Sequence, residues 1–232
     1  MNEDASAAPR EVDVPAVLEA ARFGTLRWLA EDPAAYDSLY RASVRLFDLL
    51  AARKVDYVLV GGLAMLLYVE GRNTQDVDLV MARSDLLRLS ELRVLTEDRD
   101  FANADFEGVR VDILLTENKI FHEFRRRYVA KGKIAGRADV ACATPEGLVL
   151  LKLFALPSLY RRGQTDKAAI YEADIRQLLS HTDIETEALL TVLATDMLQS
   201  DVESLRVLIA EIRERIARGN PFGPGPASGP PA

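Results

Sequence analysis

The sequence predicts an α+β protein in which a small mixed β-sheet is flanked by helices and followed by a C-terminal helical bundle. Between residues 55 and 143, short apolar runs rich in β-branched residues alternate with helical patterns. From Thr144 to about residue 217, apolar residues recur only at helical spacing. The chain of 232 residues is 49% hydrophobic, which is ample for a core.

We divide the chain into four segments. They are a disordered tail at 1–13, an α/β core with N-terminal helices at 14–143, a helical domain at 144–218 and a second disordered tail at 219–232. The first tail is rich in Ala and acidic residues, and the second is rich in Gly and Pro. Neither tail has the periodicity that a packed element needs.

The core is predicted to begin with two helices, Pro15–Ala30 and Ala34–Arg53. A buried strand follows at Val55–Val60, where the run is apolar, β-branched and aromatic. It ends at a pair of glycines, after which a helix spans Leu63–Val69. A polar turn then leads to a second short strand, Asp76–Met81.

A hairpin and two helices complete the predicted core. Ser84 is a typical N-cap for a short helix that ends at Leu89. Phe101–Phe106 and Val109–Leu115 are expected to pair around a turn at Glu107-Gly108. The last elements are a helix at Glu117–Tyr128 and short β-like pieces at Lys131–Thr144 that return to the sheet edge.

The helical domain begins at Thr144-Pro145, an N-cap followed by proline at the first helical position. Between Leu148 and Leu156 the only polar residue of this helix is Lys152, so the helix is predicted to be buried. Three further helices are predicted, at Gln164–Ser180, Ile184–Leu198 and Asp201–Ala217.

The strand Asp76–Met81 begins with two acidic residues in alternation. Asp76 and Asp78 are two apart, so on a strand they point to the same side. Paired carboxylates repel each other unless a cation neutralises them, and their hard oxygens suit Mg²⁺. Thirteen residues separate the turn at Gly61-Gly62 from Asp76, and backbone N–H groups at such a turn can approach a phosphate because no Cβ intervenes.

This arrangement resembles a known signature. Gly61-Gly62, followed by Arg72, Thr74, Asp76 and Asp78 at alternate positions, is similar to the motif of the nucleotidyltransferase fold shared with DNA polymerase β. Within that superfamily the chain most resembles the AbiEii/MenT group of bacterial toxin nucleotidyltransferases, over roughly residues 55–179. The resemblance implies an enzyme that binds an NTP and two Mg²⁺ ions, with Arg72 and Thr74 near the phosphates.

Asp112 is the candidate for a third metal ligand. It stands alone in an apolar strand, where a carboxylate is costly to bury without a partner. If that strand lies beside Asp76–Met81, the three carboxylates converge, and in the family the third acidic residue stands on the next long strand. The alternative is that Asp112 is exposed at a strand end.

Lys152 and Asp174 are expected to form a buried pair. Lys152 either reaches solvent at a helix edge or projects into a pocket that holds an anion. Asp174 lies on the apolar stripe of its helix, where a pairing with Lys152 would satisfy both. The family carries an essential lysine in a similar segment, but here Asp166 precedes Asp174 by eight residues where the family has three.

Charge is distributed unevenly along the chain. The net charge is −7, but residues 119–167 contain eleven Lys and Arg against four Asp and Glu, a balance of +7 that leaves −14 elsewhere. We predict that six of these cations form an RNA-binding face: Arg125, Arg126, Arg127, Lys131, Lys133 and Arg137. The alternative is an ordinary solvated surface.

The function expected from the resemblance is transfer of a pyrimidine nucleotide, from CTP or UTP, to the 3′ end of tRNA. The protein would be the toxin of a toxin–antitoxin system, with a cognate antitoxin as partner. The alternatives are an antibiotic nucleotidyltransferase of the aminoglycoside or lincosamide type, and a non-catalytic interaction module of the same fold. No apolar run could span a bilayer and the N-terminus is acidic, so we expect a cytoplasmic protein without a membrane partner.

Overall fold

In a computed structural model of the chain, an eight-stranded mixed sheet is flanked by helices, and the C-terminal part is entirely helical. The structure describes residues 11–12, 33–69, 74, 76–134 and 137–219. The predicted fold class is confirmed. The predicted helix Pro15–Ala30 and most of both predicted tails lie outside the described residues.

The described part of the core contains eight strands and four helices. In chain order they are β1 (Glu11–Val12), α1 (Pro33–Ala52), β2 (Tyr57–Val60), α2 (Gly61–Met65), β3 (Asp76–Met81), α3 (Arg83–Leu86), β4 (Arg93–Glu97), β5 (Phe101–Phe106), β6 (Val109–Leu115), α4 (Lys119–Arg127), β7 (Val129–Ile134) and β8 (Arg137–Ala143). The C-terminal helices are α5 (Pro145–Arg161), α6 (Thr165–His181), α7 (Thr186–Leu193) and α8 (Gln199–Gly219).

The strand order is β1-β7-β8-β2-β3-β6-β5-β4, so β3 and its two neighbours lie at the centre. Strand β3 pairs antiparallel with β2 and parallel with β6. The hairpin β5–β6 turns at Glu107 and Gly108, both with positive φ, as a two-residue turn between twisted strands requires. On the core side of this hairpin Ala104, Val111 and Ile113 are buried.

Several boundaries differ from the sequence prediction. Helix α2 begins at Gly61 itself, and α3 is preceded by Ala82 as N-cap in place of the predicted Ser84. Helix α4 begins two residues late because Asn118 caps it, accepting hydrogen bonds from the N–H groups of Ile120 and Phe121. Strand β1 lies within the predicted tail 1–13, where Glu11–Val12 pairs with β7.

Strand β4 was not predicted. All five of its residues are exposed, and its sequence, RVLTE, does not alternate between apolar and polar residues. No sequence pattern therefore indicates a strand. By contrast, the β-like pieces of Lys131–Thr144 form the hairpin β7–β8, and β8 joins β2 in parallel. The Thr144 cap of α5 is confirmed, since its hydroxyl oxygen accepts a hydrogen bond from the N–H of Gly147 at 3.2 Å. Within the described residues, no helix combines the length and apolar character needed to cross a bilayer.

Candidate active site

Three carboxylates lie on one face at the centre of the sheet. Asp78 on β3 stands directly opposite Asp112 on β6, and Asp76 precedes Asp78 by two residues. Side chains in register on neighbouring strands point to the same side, as do side chains two apart on one strand. We call Asp76, Asp78 and Asp112 the carboxylate cluster. Asp112 is in the middle of β6 with a side chain only 18% exposed, so it does not lie exposed at a strand end.

The environment of the carboxylate cluster disfavours negative charge. Burial, together with the nearby charge of Asp112, raises the pKa of Asp78 to about 6, against a smaller opposing effect of Lys152. Burial also raises the pKa of Asp76, although Arg110 opposes it. The strands therefore hold like charges together at a cost in stability, which is a common property of metal and catalytic sites.

The two glycines make room for Asp78 and Thr74. Gly61 has a φ of +63°, and a Cβ on it would fall 1.9 Å from the Asp78 carboxylate oxygen Oδ2. A Cβ on Gly62 would fall 2.5 Å from the Thr74 hydroxyl oxygen. The N–H of Gly62 also hydrogen-bonds to Asp78. In this structure the glycine turn thus positions a member of the carboxylate cluster, which is a role the sequence analysis did not assign to it.

The remaining predicted phosphate contacts are Thr74 and Arg72. Thr74 is buried, and its hydroxyl donates a hydrogen bond to the backbone carbonyl of Asp76 at 3.2 Å. A contact with a phosphate would require this hydroxyl to rotate away from that carbonyl. Arg72 lies outside the described residues.

Lys152 and Asp174 form the buried pair that the sequence predicts. The Lys152 Nζ donates to Asp174 Oδ2 at 2.7 Å, and the two side chains are only 6% and 3% exposed. The pair joins α5 to α6 behind the carboxylate cluster, close enough for Lys152 to lower the pKa of Asp78. A buried ammonium next to acidic residues is well placed to attract a phosphate once a cation neutralises the carboxylates.

Three residues near the site were missed in the sequence analysis. Arg110 precedes Asp112 by two residues, and strand alternation alone would have placed both on one face. Lys167 and Tyr171 are four apart on α6, one turn from each other. The Nζ atoms of Lys152 and Lys167 lie 4.5 and 5.8 Å from the Tyr171 ring centroid, and Lys167 lowers the pKa of Asp76.

The six predicted RNA-binding residues, which we call the basic cluster, have partners in the fold. Ion pairs join Arg125 to Asp56, Arg126 and Arg127 to Glu123, Lys131 to Asp139, and Arg137 to Asp48. Lys133 is exposed and also has an interaction partner. The local excess of positive charge along the sequence is therefore partly balanced in the fold.

The donor atoms of the carboxylate cluster suit a divalent cation such as Mg²⁺, because they are hard oxygens from three acidic side chains on one face. As the side chains stand, however, no group of three or more His, Cys, Asp or Glu residues in the described ranges is arranged to hold a metal ion. The guanidinium of Arg110 instead hydrogen-bonds to both oxygens of Asp112. The residue types and their strand positions fit the ion, but Arg110 must move away from Asp112 before the ion can bind.

No protein-family model matches the sequence, and no curated protein matches it. Among solved structures, the chain is similar to an antigenic nucleotidyltransferase-like protein from Paracoccidioides brasiliensis, with 19% identity and a TM-score of 0.43 over 76% of this chain and 93% of that one. The solution structure of the antibiotic-resistance factor ANT(2″)-Ia matches with 16% identity and a TM-score of 0.45, over 78% and 95% of the two chains.

A crystal structure of ANT(2″)-Ia in complex with adenylyl-2″-tobramycin matches with 16% identity and a TM-score of 0.43, over 75% of this chain and 98% of that one. Of these, the Paracoccidioides protein is named as nucleotidyltransferase-like. Identities and TM-scores this low carry no argument about activity, so the function proposed below depends on the geometry of the site.

Proposed function

We propose that the protein is a Mg²⁺-dependent nucleotidyltransferase that moves a nucleotide from an NTP to an acceptor hydroxyl. The observation that carries this proposal is the placement of Asp76, Asp78 and Asp112 in register on one face of two neighbouring strands. Nothing in the packing of a sheet requires three carboxylates there, and the raised pKa values of Asp76 and Asp78 indicate that these two destabilise the fold. Such a cost is typical of a site retained for chemistry.

Each group around the site has a role in this reaction. Asp76, Asp78 and Asp112 would hold the metal, which when bound activates the acceptor hydroxyl and neutralises the triphosphate. Gly61 and Gly62 fix the position of Asp78. Lys152 would attract the phosphates, and Asp174 would orient Lys152. Arg72 and Thr74, which precede β3 in the sequence, would contact the phosphates.

The acceptor we propose first is the 3′ end of tRNA, with CTP or UTP as the nucleotide donor. On this proposal the protein is a toxin of the AbiEii/MenT type, and a cognate antitoxin inhibits it. The basic cluster supports an RNA acceptor even though most of its members are paired. Arg126, Arg127 and Lys131 are 63%, 57% and 74% exposed, and exposed ion pairs contribute so little energy that a phosphate can replace the carboxylate.

The second candidate is a small-molecule acceptor, as in an antibiotic nucleotidyltransferase. The observation that favours it is the pairing of five cations of the basic cluster with four carboxylates, which leaves less net positive charge for a polyanion than the sequence suggests. A small polyhydroxyl compound would not need a basic surface.

A transfer assay separates the two acceptors. The protein is incubated with Mg²⁺ and each α-phosphate-labelled NTP in turn, with total tRNA or with a panel of aminoglycosides and lincosamides. Label on RNA from CTP or UTP supports the first candidate, and label only on small molecules supports the second. Asp78→Ala is the inactive control. Glu107→Gln is the matched control, because Glu107 lies at the turn of the hairpin β5–β6 and pairs with Arg45. Transfer to no acceptor would contradict the proposal.

A further inference from the structure

Arg110 occupies the centre of the carboxylate cluster. In the β3–β6 register it stands opposite Asp76, and it precedes Asp112 by two residues on the same strand. Its guanidinium therefore shares one face of the sheet with all three carboxylates. The next strand, β5, adds Asn103 opposite Asp112.

The contacts of Arg110 join the two strands. Its Nε donates to Asp112 Oδ1 at 3.0 Å and its Nη2 donates to Asp112 Oδ2 at 3.1 Å, a two-point contact with one carboxylate. Its Nε also lies 4.0 Å from Asp76 Oδ1. The amide of Asn103 donates to the same Asp112 Oδ1 at 2.6 Å, so the Asp112 carboxylate accepts three hydrogen bonds.

These contacts engage the oxygens that a metal ion would need. A guanidinium and a divalent cation repel each other, and they cannot share the same face of one carboxylate. The Arg110 side chain is 57% exposed, so it can move into solvent once those contacts are lost. The absence of a ready metal-binding group among the described residues agrees with an arginine that holds Asp112 in another orientation.

We propose that Arg110 is a positioning residue that acts as a built-in counter-ion for the metal site. With no metal bound, it holds Asp112 and Asp76 together across β3 and β6 and lowers the repulsion among the three carboxylates. A divalent cation must displace it, so Arg110 weakens metal binding to the nucleotide-free protein. This inference depends on the proposed function only in taking the carboxylate cluster as the metal site.

The test is calorimetric titration of Mg²⁺ into the full-length, nucleotide-free protein, and it requires no activity. Arg110→Gln removes the competing charge and is expected to bind Mg²⁺ about five- to tenfold more tightly than the wild type at low ionic strength. Arg110→Lys keeps the charge but loses the two-point contact, so its affinity should lie between the two. Arg45→Gln removes an equal charge from helix α1, where Arg45 pairs with Glu107, and should stay within twofold of the wild type.

The inference is overturned if Arg110→Gln binds Mg²⁺ no more tightly than the wild type while Asp112→Asn still loses binding. That result would leave the metal site, and with it the proposed function, intact. If neither the wild type nor Arg110→Gln binds Mg²⁺ through Asp112, the metal site itself is refuted and the inference with it. Because Arg110 is an exposed residue on an ordered strand, melting temperatures should confirm that every variant is folded.

Discussion

The carboxylate cluster and the basic cluster are two groups of like charge that the fold treats differently. The three carboxylates are held at fixed positions on β3 and β6, partly buried, with Arg110 as the cation in contact with them. In the basic cluster, five of six cations pair with carboxylates, and the pairs lie mostly at the surface. The carboxylate cluster raises the free energy of the folded state, whereas the ion pairs of the basic cluster change it little.

The difference indicates how far local charge can be used to find a site. A dense run of Lys and Arg in the sequence can be balanced by residues that are distant in the chain, as Asp56 balances Arg125 and Asp48 balances Arg137. The Asp78 carboxylate is not balanced in this way, because burial raises its pKa even though Lys152 opposes the shift. A charged residue that lowers the stability of the fold is therefore a better indicator of a catalytic site than a dense run of like charges in the sequence.

The largest expected effect is on Asp78. Asp78→Asn should lower nucleotidyl transfer by at least about a thousandfold, because it removes a metal ligand at the centre of the cluster. The same change should leave the melting temperature unchanged or higher at pH 7, because it removes a carboxylate whose pKa burial raises. Transfer assays and thermal melting of the same preparations check both parts. A large fall in melting temperature would show that Asp78 is structural.

The buried pair should show the next largest effect. Lys152→Met alone leaves the Asp174 carboxylate buried without its cation, which should cost about 3 to 5 kcal/mol of stability. The double variant Lys152→Met, Asp174→Leu removes both charges and should recover most of that loss. Urea unfolding measures the free energies, and neither variant should retain transfer activity. A double variant as unstable as the single one would show that packing, not charge, dominates.

A smaller effect is expected in the pH dependence of stability. The pKa of Asp78 is raised from 3.8 to about 6, so between these values the folded protein retains a proton that the unfolded chain loses. The contribution is complete below about pH 4 and is lost as the pH rises through about 6, so the wild type should lose about 1 to 3 kcal/mol relative to Asp78→Asn across that range. Urea unfolding of both proteins at several pH values, without divalent ions, tests this. Parallel curves would contradict the raised pKa.

The smallest effect on the protein itself is expected in the basic cluster. The triple variant Arg126→Gln, Arg127→Gln, Lys131→Gln breaks exposed ion pairs and should change stability by less than about 1 kcal/mol. Its KM for tRNA should rise by about fivefold at low salt and by less at high salt, with kcat unchanged. Steady-state transfer kinetics at two salt concentrations would show this. An unchanged KM at both concentrations would favour a small-molecule acceptor.

Much of the candidate site could be predicted from local patterns. Strand alternation places Asp76 with Asp78, and the unusual charge in two apolar segments points to Asp112 and to the Lys152–Asp174 pair. These placements could be predicted because the burial of each residue follows from the apolar pattern of its own strand or helix. The same alternation would have identified Arg110.

Other features depended on contacts that a single sequence does not contain. Strand β4 is recognisable only by its pairing with β5, because no residue of it is buried. The neutralisation of Arg125 and Arg137 comes from residues before β2 that are far away along the chain. The approach of Lys167 to Asp76 requires α6 to fold back over the sheet, which helical periodicity does not specify.

The most direct test of a shared three-carboxylate site is a comparison of Asp112→Asn with Glu107→Gln in the Mg²⁺-dependent transfer assay. Both residues lie on the hairpin β5–β6, but Glu107 is at its turn and pairs with Arg45, and only Asp112 stands opposite Asp78. We predict that Asp112→Asn loses at least about a hundredfold in transfer, whereas Glu107→Gln stays within about threefold of the wild type. Wild-type transfer by Asp112→Asn would contradict the assignment of a single site that spans both strands.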